Sequence, residues 1–253
     1  MSDIPDKSVD MILCDLPYGV TSNKWDSIIP FEPLWESYHR VIKDNGAIVL
    51  NCQQPFTTYL ISSNIKEFKY CWVWYKKQTT GFLNAKKQPL RNCEDIAVFY
   101  KKQPTYNPEM RKGKRVLKNT GTIVLQCDYR LASYLRIEIE KKKVKVKVYF
   151  KKEGVPIGDT WYFDFSQGKE RVGYDTQNPK SLLERIIKMN SNYGDVVADF
   201  FCGSGTSMVV AKELGRQYIG CDINPRAVEI ANDRLNKIIT NNRILFKLGG
   251  DYE

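Results

Sequence analysis

Three short stretches of this 253-residue chain hold residue types that could do chemistry together. The first is Asp199-Phe-Phe-Cys-Gly-Ser-Gly-Thr206. The apolar run Val196 to Phe201 reads as a buried strand, and the glycines that follow open a helix at Ser207. Gly203 and Gly205 let a ligand approach the backbone, and a helix N-terminus favours negative charge. No Gly-Lys-Ser/Thr follows, so this is not a Walker loop, and the spacing is not G-x-G-x-x-G. Asp222, just past the next strand, is placed to accept hydrogen bonds from ribose hydroxyls. The two glycines alone would also serve a tight turn with no ligand. Together with Asp222 they read as a nucleotide-type cradle.

The second stretch is Asp15-Leu-Pro-Tyr18, at the end of a strand over residues 8 to 14. An exocyclic amine on a nucleobase is a poor nucleophile, because its lone pair is delocalised into the ring. A carboxylate and a backbone carbonyl that accept its two N–H bonds would aim that lone pair at an electrophile. Asp15 and the Leu16 carbonyl suit this task, Pro17 stiffens the turn, and Tyr18 offers a ring on which an extruded base can stack. Taken alone, the tetrapeptide reads first as an Asx-type turn. The third stretch, Thr176-Gln-Asn-Pro179, reads by itself only as the start of a helix.

The elements that would position these stretches alternate. Helices are expected over 32 to 43 (stopped by Asp44-Asn45-Gly46), 55 to 65, 179 to 189, 207 to 214 (closed by Gly215) and 226 to 239. Strands are expected over 47 to 52, 69 to 75, 95 to 100, 196 to 201 and 218 to 221, besides the first. That alternation implies an α/β fold, with a mostly parallel sheet covered by helices on both faces. Between the two halves lies a basic insert. We divide the chain into a catalytic half (1–100), the insert (101–170), a candidate target-recognition region, and a cofactor-binding half (171–253). Lys141 to Lys152 holds seven lysines, with Val144, Val146 and Val148 alternating with Lys145 and Lys147. That pattern fits a solvated edge strand or a phosphate-contacting one. Val41 to Cys52 is echoed by Val116 to Cys127, a single repeat and so no solenoid.

Composition narrows the partners. The formal charge is +10, which favours a polyanion, nucleic acid before an anionic membrane. No apolar run approaches the ~20 residues that span a bilayer. The first residues show neither a basic nor an apolar region, so no secretory signal is read there, and a cytoplasmic location is expected. Seven cysteines form no C-x-x-C pair and read as small core residues. The single histidine, His39, sits in an amphipathic helix and reads as structural or solvated. No metal site is expected.

Taken together, Asp15-Leu-Pro-Tyr18, Thr176-Gln-Asn-Pro179 and Asp199-Phe-Phe-Cys-Gly-Ser-Gly-Thr206, in that order, resemble the amino-methyltransferases of DNA. The closest likeness is to the circularly permuted β group, with D-P-P-Y, T-Q-K-P and D-x-F-x-G-x-G-T motifs. Asn23 to Asp26, Asn84 to Arg91 and Glu94 to Tyr100 look like phage and prophage members, so a prokaryotic or phage-encoded protein is implied. The resemblance covers roughly 1–110 and 160–240. It implies a Rossmann-like fold and S-adenosylmethionine as cofactor. Asp199, Phe201, Gly203 and Gly205 would line its methionine side, with Phe200, Ser204 and Thr206 in the same loop. Asp222, with Ile223, would meet the ribose, and Thr176 and Pro179 would help close the methionine pocket. Asp15, Leu16, Pro17 and Tyr18 would hold a flipped base for direct in-line transfer, with no covalent enzyme intermediate. Cys14 beside them would be core.

Asp at the first motif position favours adenine N6 as the target, with cytosine N4 the alternative. RNA or protein-amine methylation comes third. From another class, an inactive nucleic-acid-binding protein with this fold is also open. Leu16 replaces a proline and Asn178 a lysine of the family pattern. The chain also begins too late to hold all of a short strand that relatives carry before the catalytic one, so part of the adenosine pocket is expected to be missing or rebuilt. DNA is the implied partner. A homodimer, as in many relatives, and a cognate restriction endonuclease are further partners the resemblance leaves open.

Overall fold

The structure, a computed structural model, describes residues 1–19, 26–82, 85–109, 157–164, 170–173 and 177–238. It forms two compact units, Met1–Asn107 with Asp159–Glu253, and Pro108–Gly158. Of the second unit, residues 108, 109, 157 and 158 are described, and there the Ile157 N–H donates to the Glu109 carbonyl at 3.0 Å. The lysine-rich run 141–152 and the echo at 116–127 lie outside the described residues.

In the first unit the order is β1 (Val9–Asp15), α1 (Phe31–Val41), β2 (Ile42–Cys52), α2 (Phe56–Ser63), β3 (Phe68–Thr80), β4 (Arg91–Phe99), β5 (Thr160–Tyr162), α3 (Lys180–Asn190), β6 (Val196–Asp199), α4 (Thr206–Glu213), β7 (Gln217–Gly220) and α5 (Pro225–Asn236). The strands form one sheet in the order β5-β3-β4-β2-β1-β6-β7. β1 pairs in parallel with β2 and β6, β6 with β7, and β3 with β5. β4 runs antiparallel to both β2 and β3. The sheet is therefore mixed, with most of its pairings parallel.

β1 is central because it is apolar on both faces: Val9, Met11, Ile12, Leu13 and Cys14 are all buried. α1 buries the stripe Leu34, Trp35, Tyr38 and Val41 against the sheet. Each such side chain contributes about 1.5–3 kcal/mol by leaving water. α5 starts where expected, since Asn224 accepts the Arg226 N–H at 3.0 Å and Pro225 needs no donor partner there. His39, on α1, is half-buried and 2.7 Å from the Glu67 carboxylate.

One expected boundary is corrected. Asp44-Asn45-Gly46 does not stop a helix; it lies inside β2, and α1 ends at Val41. The register shifts there, from Val9 opposite Ile42 to Met11 opposite Ala47, so the segment is a bulge. Gly46 is fixed by close approach, because a Cβ would lie 2.6 Å from Ile42 and 2.9 Å from the Asp10 carbonyl.

Two features of the sheet position a site. From β1 the chain crosses through α1 to β2 on one side, whereas β6 crosses through α4 to β7 on the other. Right-handed crossovers in opposite directions put α1 and α4 on opposite faces and leave a crevice between the C-terminal ends of β1 and β6. The β3–β4 ribbon also overshoots. Cys52, the last residue of β2, faces Asp95, which faces Val73. The ribbon from Trp74 to Thr80 and from Arg91 to Glu94 therefore extends past the end of β2, beside that crevice.

Candidate active site

The crevice holds a cleft of about 860 Å³. Asp15, Leu16, Pro17 and Tyr18 line it from the end of β1. Asp199, Phe200, Phe201, Gly203, Ser204 and Thr206 line it from the loop between β6 and α4, and Asp222 and Ile223 from the end of β7. Two stretches far apart in sequence thus share one cavity. Their strands are hydrogen-bonded neighbours, with Met11 opposite Val197 and Ile12 opposite Ala198.

Asp15 is held by its surroundings. The Tyr18 hydroxyl donates to its Oδ1 at 2.5 Å, and the Asn178 amide donates to its Oδ2 at 3.0 Å. Burial raises its carboxyl above the usual range, while the bonds from Tyr18 and Asn178 and the charge of Lys76 pull it back down. The Tyr18 ring packs 5.3 Å from Phe56, which fixes it in the cleft wall. Burial, then the Asp15 charge, keeps the Tyr18 phenol well above its ordinary value, so it acts as a neutral donor.

Asp199 organises the opposite wall. It accepts the Phe201 N–H at 3.1 Å and the Ser207 hydroxyl. Burial pushes its carboxyl up to about 7, with the Asp15 charge adding and the Ser207 and Phe201 bonds opposing. Asp222 bridges the loop, accepting the Gly203 N–H at 2.8 Å and the Asn224 N–H at 2.9 Å. Arg234 on α5 braces the same loop through the Ser204 carbonyl at 2.6 Å and the Thr206 hydroxyl at 2.9 Å. Cys14 is buried beneath, accepting the Phe200 N–H at 3.2 Å. Burial raises its thiol well above the ordinary value, so it is a neutral core group.

Two expected positions fall outside the lining. Gly205 does not line the cleft. Its φ is +74°, and a Cβ there would sit 2.6 Å from Ala231 on α5. Helix packing and the turn therefore both call for glycine here. Pro179 caps the start of α3 outside the lining, while its neighbours Gln177 and Asn178 do line the cleft. Thr176 lies outside the described residues.

The overshooting ribbon adds groups that the motifs did not reveal. Trp74 and Lys76 on β3 and Glu94 on β4 line the cleft. Lys76 donates to Glu94, and its ammonium lies 4.4 Å from the Trp74 ring centroid. Both ends of that ion pair are largely buried. Asn51, opposite Asp15 in register, is 2% exposed, and its Oδ1 has no hydrogen-bond partner among the described residues. The lining carries the carboxylates of Asp15, Asp26, Glu94, Asp199 and Asp222 against the ammonium of Lys76. Among the described residues the cleft is acidic, although the whole chain is basic.

The fold is a Rossmann-like α/β sheet, with a loop-and-acid cradle beside an acid-turn-tyrosine strand end. The solved M1.HpyAVI–SAM complex has this fold, with a TM-score of 0.57 at 20% identity, covering 90% of this chain and 89% of that one. So has the cytosine-N4-specific PvuII DNA methyltransferase, with a TM-score of 0.61 at 14% identity over 96% of this chain and 83% of that one. The sequence model of the N6/N4 family, described as DNA methylase, matches residues 9–233, and the chain belongs to that family. It is 30% identical to the Type II methyltransferase M1.MboII of Moraxella bovis over 264 residues, 95% of this chain and 94% of that protein. It is 31% identical to the DNA adenine methyltransferase YhdJ of Escherichia coli K12 over 265 residues, covering 93% and 79%.

Proposed function

We propose that this protein transfers a methyl group from S-adenosylmethionine to N6 of an adenine extruded from DNA. The observation that carries the reading is the placement of Asp15 and Asp199 at the ends of neighbouring parallel strands, facing one cleft. One carboxylate sits where an amine would be oriented, and the other beside the cofactor cradle.

The residues present fit the cofactor. It carries a sulfonium and an ammonium, and the cleft offers buried carboxylates to cations. Asp222 stands beside the glycine turn, where a ribose would lie. Ile223, 85% exposed at the same rim, offers an apolar face to an adenine ring. The volume suits a cofactor together with a base, being near the upper end of the usual ~300–1,000 Å³ range. S-adenosylmethionine supplies an electrophilic methyl group when bound.

The chain's own residues supply positioning. Asp15, held by Tyr18 and Asn178, accepts one N–H of the target amine, and the Leu16 carbonyl accepts the other. Tyr18 and the adjoining aromatic wall take the place of the stacked neighbours that the base leaves behind. Such placement of a nucleophile against an electrophile lowers the barrier without a covalent intermediate. The Asp at position 15 and the adenine methyltransferase among the relatives support N6 over cytosine N4. Residues 101–170 are proposed as the segment that reads the target sequence.

The test is to offer labelled S-adenosylmethionine with DNA, RNA and acceptor protein in parallel. Label should enter DNA alone. Entry into RNA or protein but not DNA would overturn the reading.

A further inference from the structure

The acidic cleft sets a problem for a polyanionic substrate. A neutral base can enter among five carboxylates, but the phosphates on either side of it cannot follow. They must stay at the rim and be held there. The rim formed by the overshooting β3–β4 ribbon is made for this.

From Lys77 to Cys93 the sequence holds Lys77, Lys86, Lys87 and Arg91 and no carboxylate. Lys77, Lys86 and Lys87 are exposed, and among the described residues no carboxylate pairs with them. Arg91 is tied back to the sheet, donating to Gln53 Oε1 at 2.9 Å. Gln53 and Thr80 both line the cleft, so Arg91, bonded to Gln53, and the connection that leaves β3 after Thr80 both start at its mouth. Phe82, 67% exposed, adds an apolar surface in the same connection. The far end of the same ribbon is different in position. Lys66 precedes β3 and Lys101 follows β4, at the opposite edge of the sheet, because Phe68 is opposite Phe99.

We infer that the β3–β4 connection, through Lys86 and Lys87, grips the DNA backbone phosphates that flank the extruded nucleotide. This rests on the proposed DNA-methylating function and adds a DNA-contact surface to it. The ribbon then has two jobs. Its inward residues, Trp74, Lys76 and Glu94, wall the base site, and its tip neutralises the strand outside.

The experiment measures binding of a fluorescent duplex from about 50 to 200 mM salt, where each phosphate contact adds about 0.9 to the log–log slope. The parent is compared with the double variant Lys86→Gln/Lys87→Gln and with the charge-matched control Lys66→Gln/Lys101→Gln. The tip variant should lose about 1–2 from the slope and show a raised KM for DNA, with cofactor affinity and kcat kept. The control should retain the parent slope. A tip variant with the parent's slope, or a control that loses as much, would overturn the inference while leaving the function intact. A parent that neither binds duplex nor methylates it would overturn the function itself, and this surface with it.

Discussion

The Asn178 amide donates to Asp15 Oδ2 at 3.0 Å, joining residues 163 positions apart in the chain. The family pattern that this chain resembles has lysine at that position. Here a neutral amide does the holding, and with the Tyr18 hydroxyl it leaves Asp15 with a donor on each oxygen. Hydrogen bonds to a charged group contribute about 1.5–3 kcal/mol. Asn178→Ala should therefore lower kcat by roughly 10- to 100-fold with little change in cofactor affinity. Asn178→Asp, which places a like charge on Asp15, should be worse, and Asn178→Lys should retain activity. Steady-state kinetics on a DNA substrate checks all three.

Asp222 has two tasks, and its removal should show both. Its carboxylate ties the Gly203 and Asn224 N–H groups, and it faces the proposed ribose site. Asp222→Ala should weaken S-adenosylmethionine binding by about 1–3 kcal/mol, roughly 5- to 150-fold in Kd. Calorimetric titration reads this directly. Unchanged affinity would place the ribose elsewhere.

Gly205 carries a stability prediction. A side chain there must accept φ of +74° and meet Ala231 at 2.6 Å. The backbone conformation alone costs a non-glycine residue about 1–3 kcal/mol, and the overlap with α5 adds to it. Gly205→Ala should lower the denaturant midpoint clearly. Gly81→Ala has the same backbone cost, with φ of +89°, but no neighbour within 4 Å among the described residues, and should lower it less.

These cases show what the sequence could reveal. Asp15, Tyr18, Asp199 and Asp222 were legible because each sits at the end of an apolar strand, where local pattern and turn chemistry coincide. Gly205 was legible as a required glycine, but its contact with Ala231 was not, since that neighbour is set by the packing of α5. Lys76, Glu94 and Asn51 could not be found from spacing. They reach the cleft only because β4 runs antiparallel and the ribbon overshoots β2, a matter of register. β5 was missed because three residues give no period to read. The end of α1 was misplaced because a bulge carries the same Asp-Asn-Gly signature as a helix stop.

Asp199 gives a pH dependence. Burial holds its carboxyl at about 7. A cation docked beside it favours the ionised form, so cofactor binding releases a proton when the pH lies below that value. Affinity for S-adenosylmethionine should rise between about pH 6 and 7 and level off above, by at most tenfold per unit. Asp199→Asn should flatten the profile. For the unliganded protein the sign is opposite. With its folded value raised above the ordinary 3.8, this group favours folding below that value and loses the benefit as pH rises through about 7. Titration across this range in two buffers of different ionisation enthalpy measures the proton release.

The most direct measurement is the chemical identity of the product. Mixed-sequence DNA is incubated with labelled S-adenosylmethionine and the protein, then digested, and the nucleosides are resolved by mass, with Asp15→Ala as the control. The label should appear in N6-methyladenine and vanish with Asp15→Ala, while that variant still binds the cofactor. Label in N4-methylcytosine, or no transfer by a parent that binds S-adenosylmethionine, would contradict the account.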